Sequence, residues 1–200
     1  MILCFDTETT GKVNFKAECE DDSQPNLVQL GCVLSDDDGK IAAQVEFVVK
    51  PEGWVIPYEA TAIHGISNEF ATEYGVPLKT VLSCFNMMSK RADFIVAHSL
   101  DFDERVMDTA FYREGLTWLH AMPNWCCTMK MATPILELPG NYGKFKWPSL
   151  AEAHKSLCGA DVVDAHSALA DALACHRIYV AMKAEAVREL SVAGVQRRRG

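Results

Sequence analysis

The chain has 200 residues, of which 49% are hydrophobic and 23% charged, and its formal net charge is −8. This composition is ordinary for a globular protein, and the length suits one domain. The acidic balance argues against a protein that holds nucleic acid by bulk electrostatic attraction, but not against one that binds it through metal ions. No apolar run approaches the roughly 20 residues of a membrane span, and the first residues lack the basic flank of a signal peptide. We therefore expect no membrane contact and a cytoplasmic, intracellular location.

The first predicted strand runs directly into two acids. Residues 1–5, MILCF, are continuously apolar, which is typical of a strand buried on both faces, and Asp6 and Glu8 follow at once. Alternate side chains of a strand share a face, so these acids lie on the face of Ile2 and Cys4. Two carboxylates at the dry end of a strand are unfavourable alone, because burial and like charge both oppose ionisation. The pattern therefore requires a compensating group.

The following segments predict a mixed sheet with helices packed against it. Residues 11–26 are polar and acidic and are predicted to be a solvated loop, and two apolar runs around the turn SDDDG predict a hairpin over 27–50. The further predicted elements are a helix from Pro77 to Lys90, a strand over 93–97, a helix over 98–115, a weaker strand over 124–129, a helix over 148–159 and a last helix from Ser167 to the late 180s. We predict a single α/β domain over 1–190 and a flexible basic tail over 191–200.

Two more acids and a histidine stand in or beside apolar helical patterns. A capping box of Asp101 and Glu104 is predicted to start one helix, which places Asp103 in its first turn on the buried stripe. An acid in that position also suits the helix dipole without any further role. Asp171 lies on a helix that is apolar on nearly all sides, and Asp is seldom fully buried without a partner. His166 is placed on the loop into this helix, where a hydrogen-bonded structural role is the alternative to a role in a site.

Three segments, in this order, resemble the motifs of the DEDD exonucleases that use a catalytic histidine. They are DTETTG (6–11), HSLDFD (98–103) and HSALAD (166–171). The resemblance implies a ribonuclease H-like fold, with a central mixed five-stranded sheet flanked by helices. This family includes the proofreading subunit of bacterial replicative polymerase, RNase T and oligoribonuclease. IHGIS (63–67) resembles a further family segment that packs on the terminal nucleotide, whereas Ser99 and Gln29 depart from residues frequent in the family.

The resemblance implies a complete active site. The residues that it implies to be catalytic are Asp6, Glu8, Asp103, His166 and Asp171. The four acids would bind two Mg²⁺ ions, or Mn²⁺, because oxygen ligands suit these cations better than zinc. His166 would be the general base, since a histidine titrates near neutrality. The residues implied to border the last nucleotide are Thr9, Ile63, His64 and Phe102.

The expected reaction is hydrolysis of the terminal phosphodiester at the 3′ end of single-stranded DNA, by a two-metal mechanism that releases nucleoside 5′-monophosphates. RNA stays open as the substrate, because the choice depends on how the pocket treats one 2′-hydroxyl group. Two other hypotheses are a haloacid dehalogenase-type phosphatase, which needs Asp where Glu8 stands, and a non-catalytic module that binds a polymerase or a nucleic-acid end. Single-stranded 3′ ends are the expected partner, and a polymerase or a second copy of the chain stays open.

The segment NYGKFKW (141–147) interleaves two lysines with Tyr142, Phe145 and Trp147. This composition is typical of a platform on which the bases of a single strand stack. The alternative is a surface loop whose aromatic side chains help to fix the next helix. The composition does not decide between these two interpretations.

Overall fold

The computed structural model describes residues 1–118 and 124–197, with side chains described up to residue 185. Its antiparallel strands are β1 (Ile2–Thr9), β2 (Leu27–Ser35) and β3 (Ile41–Val48), and β4 (Phe94–Ala97) and β5 (Asn124–Cys127) run parallel to β1. They form one sheet in the order β3-β2-β1-β4-β5. The predicted α/β fold with a mixed five-stranded sheet is therefore confirmed.

Helices cover both faces of this sheet. Within the described ranges they are α1 (Tyr58–His64), α2 (Asn68–Tyr74), α3 (Leu78–Ser89), α4 (Leu100–Arg113), α5 (Thr128–Leu136), α6 (Leu150–Cys158) and α7 (Ala168–Arg197). Leu3 and Phe5 of β1 belong to the core that contains residues of α3 and α4, whereas Ile2 and Cys4 pack with α7. The alternation predicted for β1 is thus present. Among the described residues, no helix is both long and apolar enough to cross a membrane.

The ends of two helices differ from the predictions. The predicted capping box of Asp101 and Glu104 is wrong, because α4 begins two residues earlier, at Leu100 with Ser99 as its N-cap. The Asp101 carboxylate instead forms an ion pair with Lys130. Helix α7 continues to Arg197, beyond the predicted end in the late 180s, since the residues there are mostly good helix formers. Residues 198–200 of the predicted basic tail lie outside the described residues.

The loop predicted over residues 11–26 is organised around a buried glutamine. Gln24 is only 3% exposed, and its Nε2 donates to the carbonyl oxygens of Asn14, Ala17 and Glu18 at 2.9–3.1 Å. Arg113 of α4 donates to the Gln24 carbonyl oxygen at 2.8 Å. Composition alone predicts a solvated loop, because the partners that order this segment come partly from a helix about 90 residues later in the chain.

Gly31 allows the first turn of α7 to approach β2. A Cβ atom at position 31 would lie 2.2 Å from the Ala168 carbonyl carbon and 2.3 Å from the Leu169 nitrogen. The same turn is held by side chains of the hairpin: Gln29 Oε1 accepts from the Ala168 N–H at 3.0 Å, and Glu46 Oε1 accepts from the Leu169 N–H at 3.2 Å. These bonds satisfy N–H groups that a helix N-terminus leaves free. The start of α7 is therefore fixed against the sheet.

We predict that Gly31→Ala lowers the free energy of unfolding by about 1–3 kcal/mol, because the added methyl group overlaps backbone atoms of α7 that must move. Urea denaturation measures this loss. Gly11→Ala is the control, since no atom lies within 4 Å of the position of its added Cβ. Equal denaturation midpoints for the two variants would contradict the close approach.

Candidate active site

Three elements bring four acids to the carboxyl end of β1. Asp6 and Glu8 lie in the last four residues of β1, on the face of the strand that packs against α7. Asp171 lies in the first turn of α7, and Asp103 lies in the first turn of α4 on the opposite face of the sheet. The helix N-termini carry partial positive charge, which favours acids in these turns. All four acids therefore interact, and the negative charges of Asp103, Asp171 and Glu8 each raise the pKa of Asp6.

The tightest group in this cluster contains Glu8, His166 and Asp171. One potential ligand atom from each lies within 4.8 Å of the other two. The His166 backbone N–H donates to Asp171 Oδ2 at 3.3 Å, and His166 has a φ of +71°. A non-glycine residue rarely adopts this left-handed conformation, and the strain persists only where the surrounding structure fixes it. The exposed His166 side chain is thereby held over the carboxylates.

Asp103 reaches the cluster from the other layer of the fold. Its side chain is 3% exposed, and the Thr7 hydroxyl donates to Asp103 Oδ1 at 2.7 Å. Thr7 lies between the two acids of β1 and points to the opposite face, so this bond ties the first turn of α4 to the end of the strand. The threonine of the motif DTET therefore has a structural role, because its hydroxyl joins α4 to the end of β1.

Burial is the main cause that raises the pKa of every acid in this cluster. It raises the pKa of Asp6 well above its ordinary value, and the charges of Asp103 and Asp171 raise it further. Burial and the same two neighbours raise the pKa of Glu8 to about 7. Burial raises the pKa of Asp103 to about 7 although the Thr7 hydrogen bond opposes it, and burial raises the pKa of Asp171. Without a counter-charge, the site therefore takes up protons near neutral pH.

The donor set fits a divalent cation. Asp171 Oδ1 is buried and has no hydrogen-bond partner in the described part of the chain, so one ligand atom of the cluster is free for a cation. Carboxylate oxygens are the preferred ligands of hard divalent cations, whose charge would favour the ionised form of all four acids. Glu8, His166 and Asp171 form the compact part of such a centre. Asp6 and Asp103 lie outside that group of three but close enough for the charges of Asp103, Asp171 and Glu8 to act on Asp6.

A pocket of about 330 Å³ opens next to the cluster. Its lining consists of Glu8, Thr9, Thr10, Gly11, Lys12, Glu59, Ala60, Ile63, His64 and Phe102. All four residues predicted to border a nucleotide thus line one pocket that also contains an acid of the cluster. Burial lowers the pKa of His64, whose Nδ1 accepts from the Ile66 N–H at 3.1 Å, so its ring is neutral near pH 7.

Sequence patterns miss three polar residues of this pocket. Thr10 and Lys12 follow the first motif directly, and their position next to DTET is the signal that was available. Glu59 comes from α1, and no pattern in the sequence links that short helix to the end of β1. Its contribution depends on the packing of α1 against the sheet, which only the structure reveals.

Comparisons with known proteins agree with this arrangement. The exonuclease family that includes RNase T matches residues 3–179. Exonuclease I of E. coli, solved with a dT13 oligonucleotide, superposes with a TM-score of 0.75 at 18% identity. The alignment covers 96% of this chain but only 42% of the exonuclease I chain. A zinc-bound form of the same enzyme with single-stranded DNA gives 0.75 at 19% identity, over 94% of this chain and 41% of its own.

Exonuclease X, solved with 5′-overhanging duplex DNA, gives a TM-score of 0.63 at 25% identity and covers 91% of this chain and 90% of its own. No curated protein sequence matches the chain. Because the family match spans most of the sequence, the chain belongs to the exonuclease family, of the DEDD type. The predicted ribonuclease H-like fold is confirmed by the structural matches. The chain spans less than half the length of E. coli exonuclease I.

We predict that the metal-free protein loses stability as the pH rises from the ordinary carboxyl pKa values of 3.8 and 4.5 towards about 7. In this window the folded protein binds protons more tightly than the unfolded chain. The resulting stabilisation of the folded state is complete at low pH and disappears as the pH rises through the folded-state pKa values. Saturating Mg²⁺ should restore stability at high pH, because the ion binds the ionised native site. Thermal midpoints measured from pH 4 to about 8, with and without Mg²⁺, test both effects.

The double variant Asp103→Asn, Glu8→Gln is the control for this measurement. It removes the two groups whose pKa values reach about 7, so both its pH dependence and its response to Mg²⁺ should shrink. A wild-type thermal midpoint that neither falls as the pH rises nor increases with Mg²⁺ would contradict the claim that these acids form a repulsive cluster.

Proposed function

We propose that the protein is a metal-dependent 3′-to-5′ exonuclease that hydrolyses the last phosphodiester of single-stranded DNA and releases nucleoside 5′-monophosphates. One observation carries the proposal: four acids with raised pKa values and a strained histidine meet at the end of β1, beside a pocket open to solvent. A structural ion pair network would need basic partners, whereas this cluster contains only acids and one histidine. Its charge is suited to cations that in turn bind phosphate.

The proposed cofactor is a pair of Mg²⁺ ions, with Mn²⁺ as a substitute, held by Asp6, Glu8, Asp103 and Asp171. The all-oxygen carboxylate set supports these hard cations over zinc. Bound ions supply the positive charge that stabilises a phosphoryl group while its bond to the leaving oxygen breaks. The acids themselves fix the position of that charge, because β1, α4 and α7 are locked together by Thr7 and by the hairpin contacts to α7.

His166 is the proposed general base. Its backbone N–H is bound to Asp171 Oδ2, and its side chain is exposed beside Glu8, where water has access. From there the imidazole can accept a proton as water attacks the scissile phosphate. His166 has a left-handed backbone just before the first turn of α7, and a nitrogen of its ring lies within 4.8 Å of carboxylate oxygens of Glu8 and Asp171. This orientation is what the role requires.

The pocket beside Glu8 is proposed to hold the terminal nucleotide. Phe102 and Ile63 offer apolar surface for the base, and Thr9 and the neutral ring of His64 offer polar groups near the sugar. Ile63 is 61% exposed although it is apolar, which is consistent with a surface that a base covers. Lys12 lies at the same pocket and can compensate part of the phosphate charge.

Single-stranded DNA is the proposed substrate, and RNA is the alternative outcome. E. coli exonuclease I has been solved with single-stranded oligonucleotides and exonuclease X with overhanging duplex DNA, which supports DNA. A cytoplasmic location and a polymerase or homodimer partner remain proposals from the sequence, as does a single domain over 1–190 with a basic tail.

A 5′-labelled single strand incubated with Mg²⁺ tests the proposed function. The expected result is stepwise shortening from the 3′ end with release of nucleoside 5′-monophosphates, faster on DNA than on a matched RNA. Asp171→Asn should be inactive while folded, because it removes one charged ligand. Release of terminal phosphate alone, or binding without shortening, would contradict the exonuclease proposal. Faster cleavage of RNA than of DNA would make RNA the substrate instead of DNA.

We predict that His166→Ala lowers the turnover number by about 10²- to 10⁴-fold, the usual contribution of a general base. Binding of a 3′ end in Ca²⁺ should stay near the wild-type affinity, because the acids and the pocket are unchanged. Single-turnover kinetics and equilibrium binding measure the two quantities separately.

His154→Ala is the matched control. His154 is 1% exposed inside α6, and its Nδ1–H donates to the Ala160 carbonyl oxygen at 2.8 Å. Its loss should lower the thermal midpoint more than the turnover number. If the His166 variant keeps wild-type turnover while a folded His154 variant loses it, the assignment of the base is wrong.

A further inference from the structure

The segment 141–147, here called the aromatic-basic loop, exposes three large rings within six residues. Tyr142 is fully exposed, Trp147 is 64% exposed and Phe145 is 49% exposed. Isolated exposed apolar side chains are common, but a contiguous group of large ones marks a surface that binds something. The alternative that these rings pack against the next helix is wrong for Tyr142, which is completely solvated.

The backbone holds the rings outward rather than leaving them on an unstructured segment. Pro139 and Phe145 form an antiparallel bridge, and the Lys146 N–H donates to the Leu138 carbonyl oxygen at 3.0 Å. A Cβ atom at Gly140 would lie 2.5 Å from the Lys144 carbonyl oxygen, so the two sides of the loop are in close contact. The loop is therefore a folded support that presents its aromatic side chains to solvent.

A buried histidine connects this loop to the edge of the sheet that carries the acids. His98 follows β4 and is 7% exposed; its Nε2–H donates to the Pro148 carbonyl oxygen at 3.0 Å, and its Nδ1 accepts from the Thr128 hydroxyl at 2.9 Å. Pro148 directly follows Trp147. Because β4 is parallel to β1, the carboxyl ends of both strands lie at one edge of the sheet. The loop thus ends at the same edge as Asp6 and Glu8.

The charge of the loop suits a polyanion. Lys144 and Lys146 alternate with the rings in a protein whose formal net charge is −8. Lys146 forms an ion pair with Glu152 of α6, whereas Lys144 makes no ion pair within the described residues. Stacking on aromatic rings and contact of lysine with phosphate together are the means by which proteins bind single strands without base preference.

We propose that the aromatic-basic loop is a second binding site for the substrate strand, where unpaired bases further upstream than the nucleotide adjoining the scissile phosphate stack on Tyr142 and Trp147 while Lys144 contacts the phosphates. This proposal rests on the proposed function, because it assumes that the 3′ end of the same strand lies at the acids. The loop adds affinity for long strands and takes no part in bond cleavage.

Substrate length provides the test. The double variant Tyr142→Ala, Trp147→Ala is compared with the wild type on a thymidine dinucleotide and on a single strand of about 15 nucleotides. Loss of base stacking should raise KM for the long strand by about 5- to 100-fold, with kcat nearly unchanged. Both constants for the dinucleotide should stay at wild-type values, because it has no base upstream of the nucleotide that adjoins the scissile phosphate. Lys144→Glu should raise KM for the long strand alone.

Tyr112→Ala is the control, since Tyr112 is an exposed ring (51%) near the opposite end of α4 from Asp103. This variant should change neither KM nor kcat for either substrate. An unchanged KM for the long strand in the double variant would overturn the proposal and leave the proposed function intact. So would an equal loss on both substrates. If the wild type cleaves neither substrate, the proposed function fails, and binding of the long strand in Ca²⁺ then tests the loop. A loss of affinity only in the double variant supports the loop as a binding site. Equal affinity of the double variant and the wild type overturns it.

Discussion

The mutual repulsion of four partly or fully buried carboxylates is the constraint on which the rest of this structure depends. Burial raises the pKa values of Asp6, Glu8, Asp103 and Asp171, and neighbouring negative charge raises those of Asp6, Glu8 and Asp103 further. The folded chain is therefore under electrostatic stress at neutral pH without a cation. The fold holds the cluster together through contacts placed around it: the Thr7 bond to Asp103, and the contacts of Gln29 and Glu46 with the first turn of α7. Under the proposed function, the folded chain loses stability at this cluster because the acids are already assembled for a cation.

The same contacts explain why residues far from the chemistry matter. Gln29 lies opposite Glu8 in the register of β1 and β2, and it bonds the helix that carries Asp171. Gly31 lets that helix come close enough for the bond to form. The acids are therefore positioned partly by a hairpin that holds the helix of Asp171 in place. In a cluster whose acids repel one another, such supporting contacts decide whether the acids stay in place.

Local patterns predict much of this site because its acids follow the rules of strands and helices. Period-two alternation places Asp6 and Glu8 on one face of β1, and apolar helical periodicity marks Asp103 and Asp171 as unusual. The sheet class and most long elements follow in the same way. What local patterns do not predict depends on distant contacts: the order that Gln24 gives to residues 11–26, and the pairing of Asp101 with Lys130 that replaces the expected capping box.

Manganese binding followed by electron paramagnetic resonance tests the central claim most directly, because it counts ions without requiring substrate or turnover. The account predicts two bound Mn²⁺ ions per wild-type chain above neutral pH, competition by Mg²⁺, and loss of binding in Asp6→Asn, whose fold should be retained. No bound ion at manganese concentrations on the order of 10 mM, or undiminished binding in the folded Asp6→Asn variant, would contradict the claim that this acidic cluster is a metal centre.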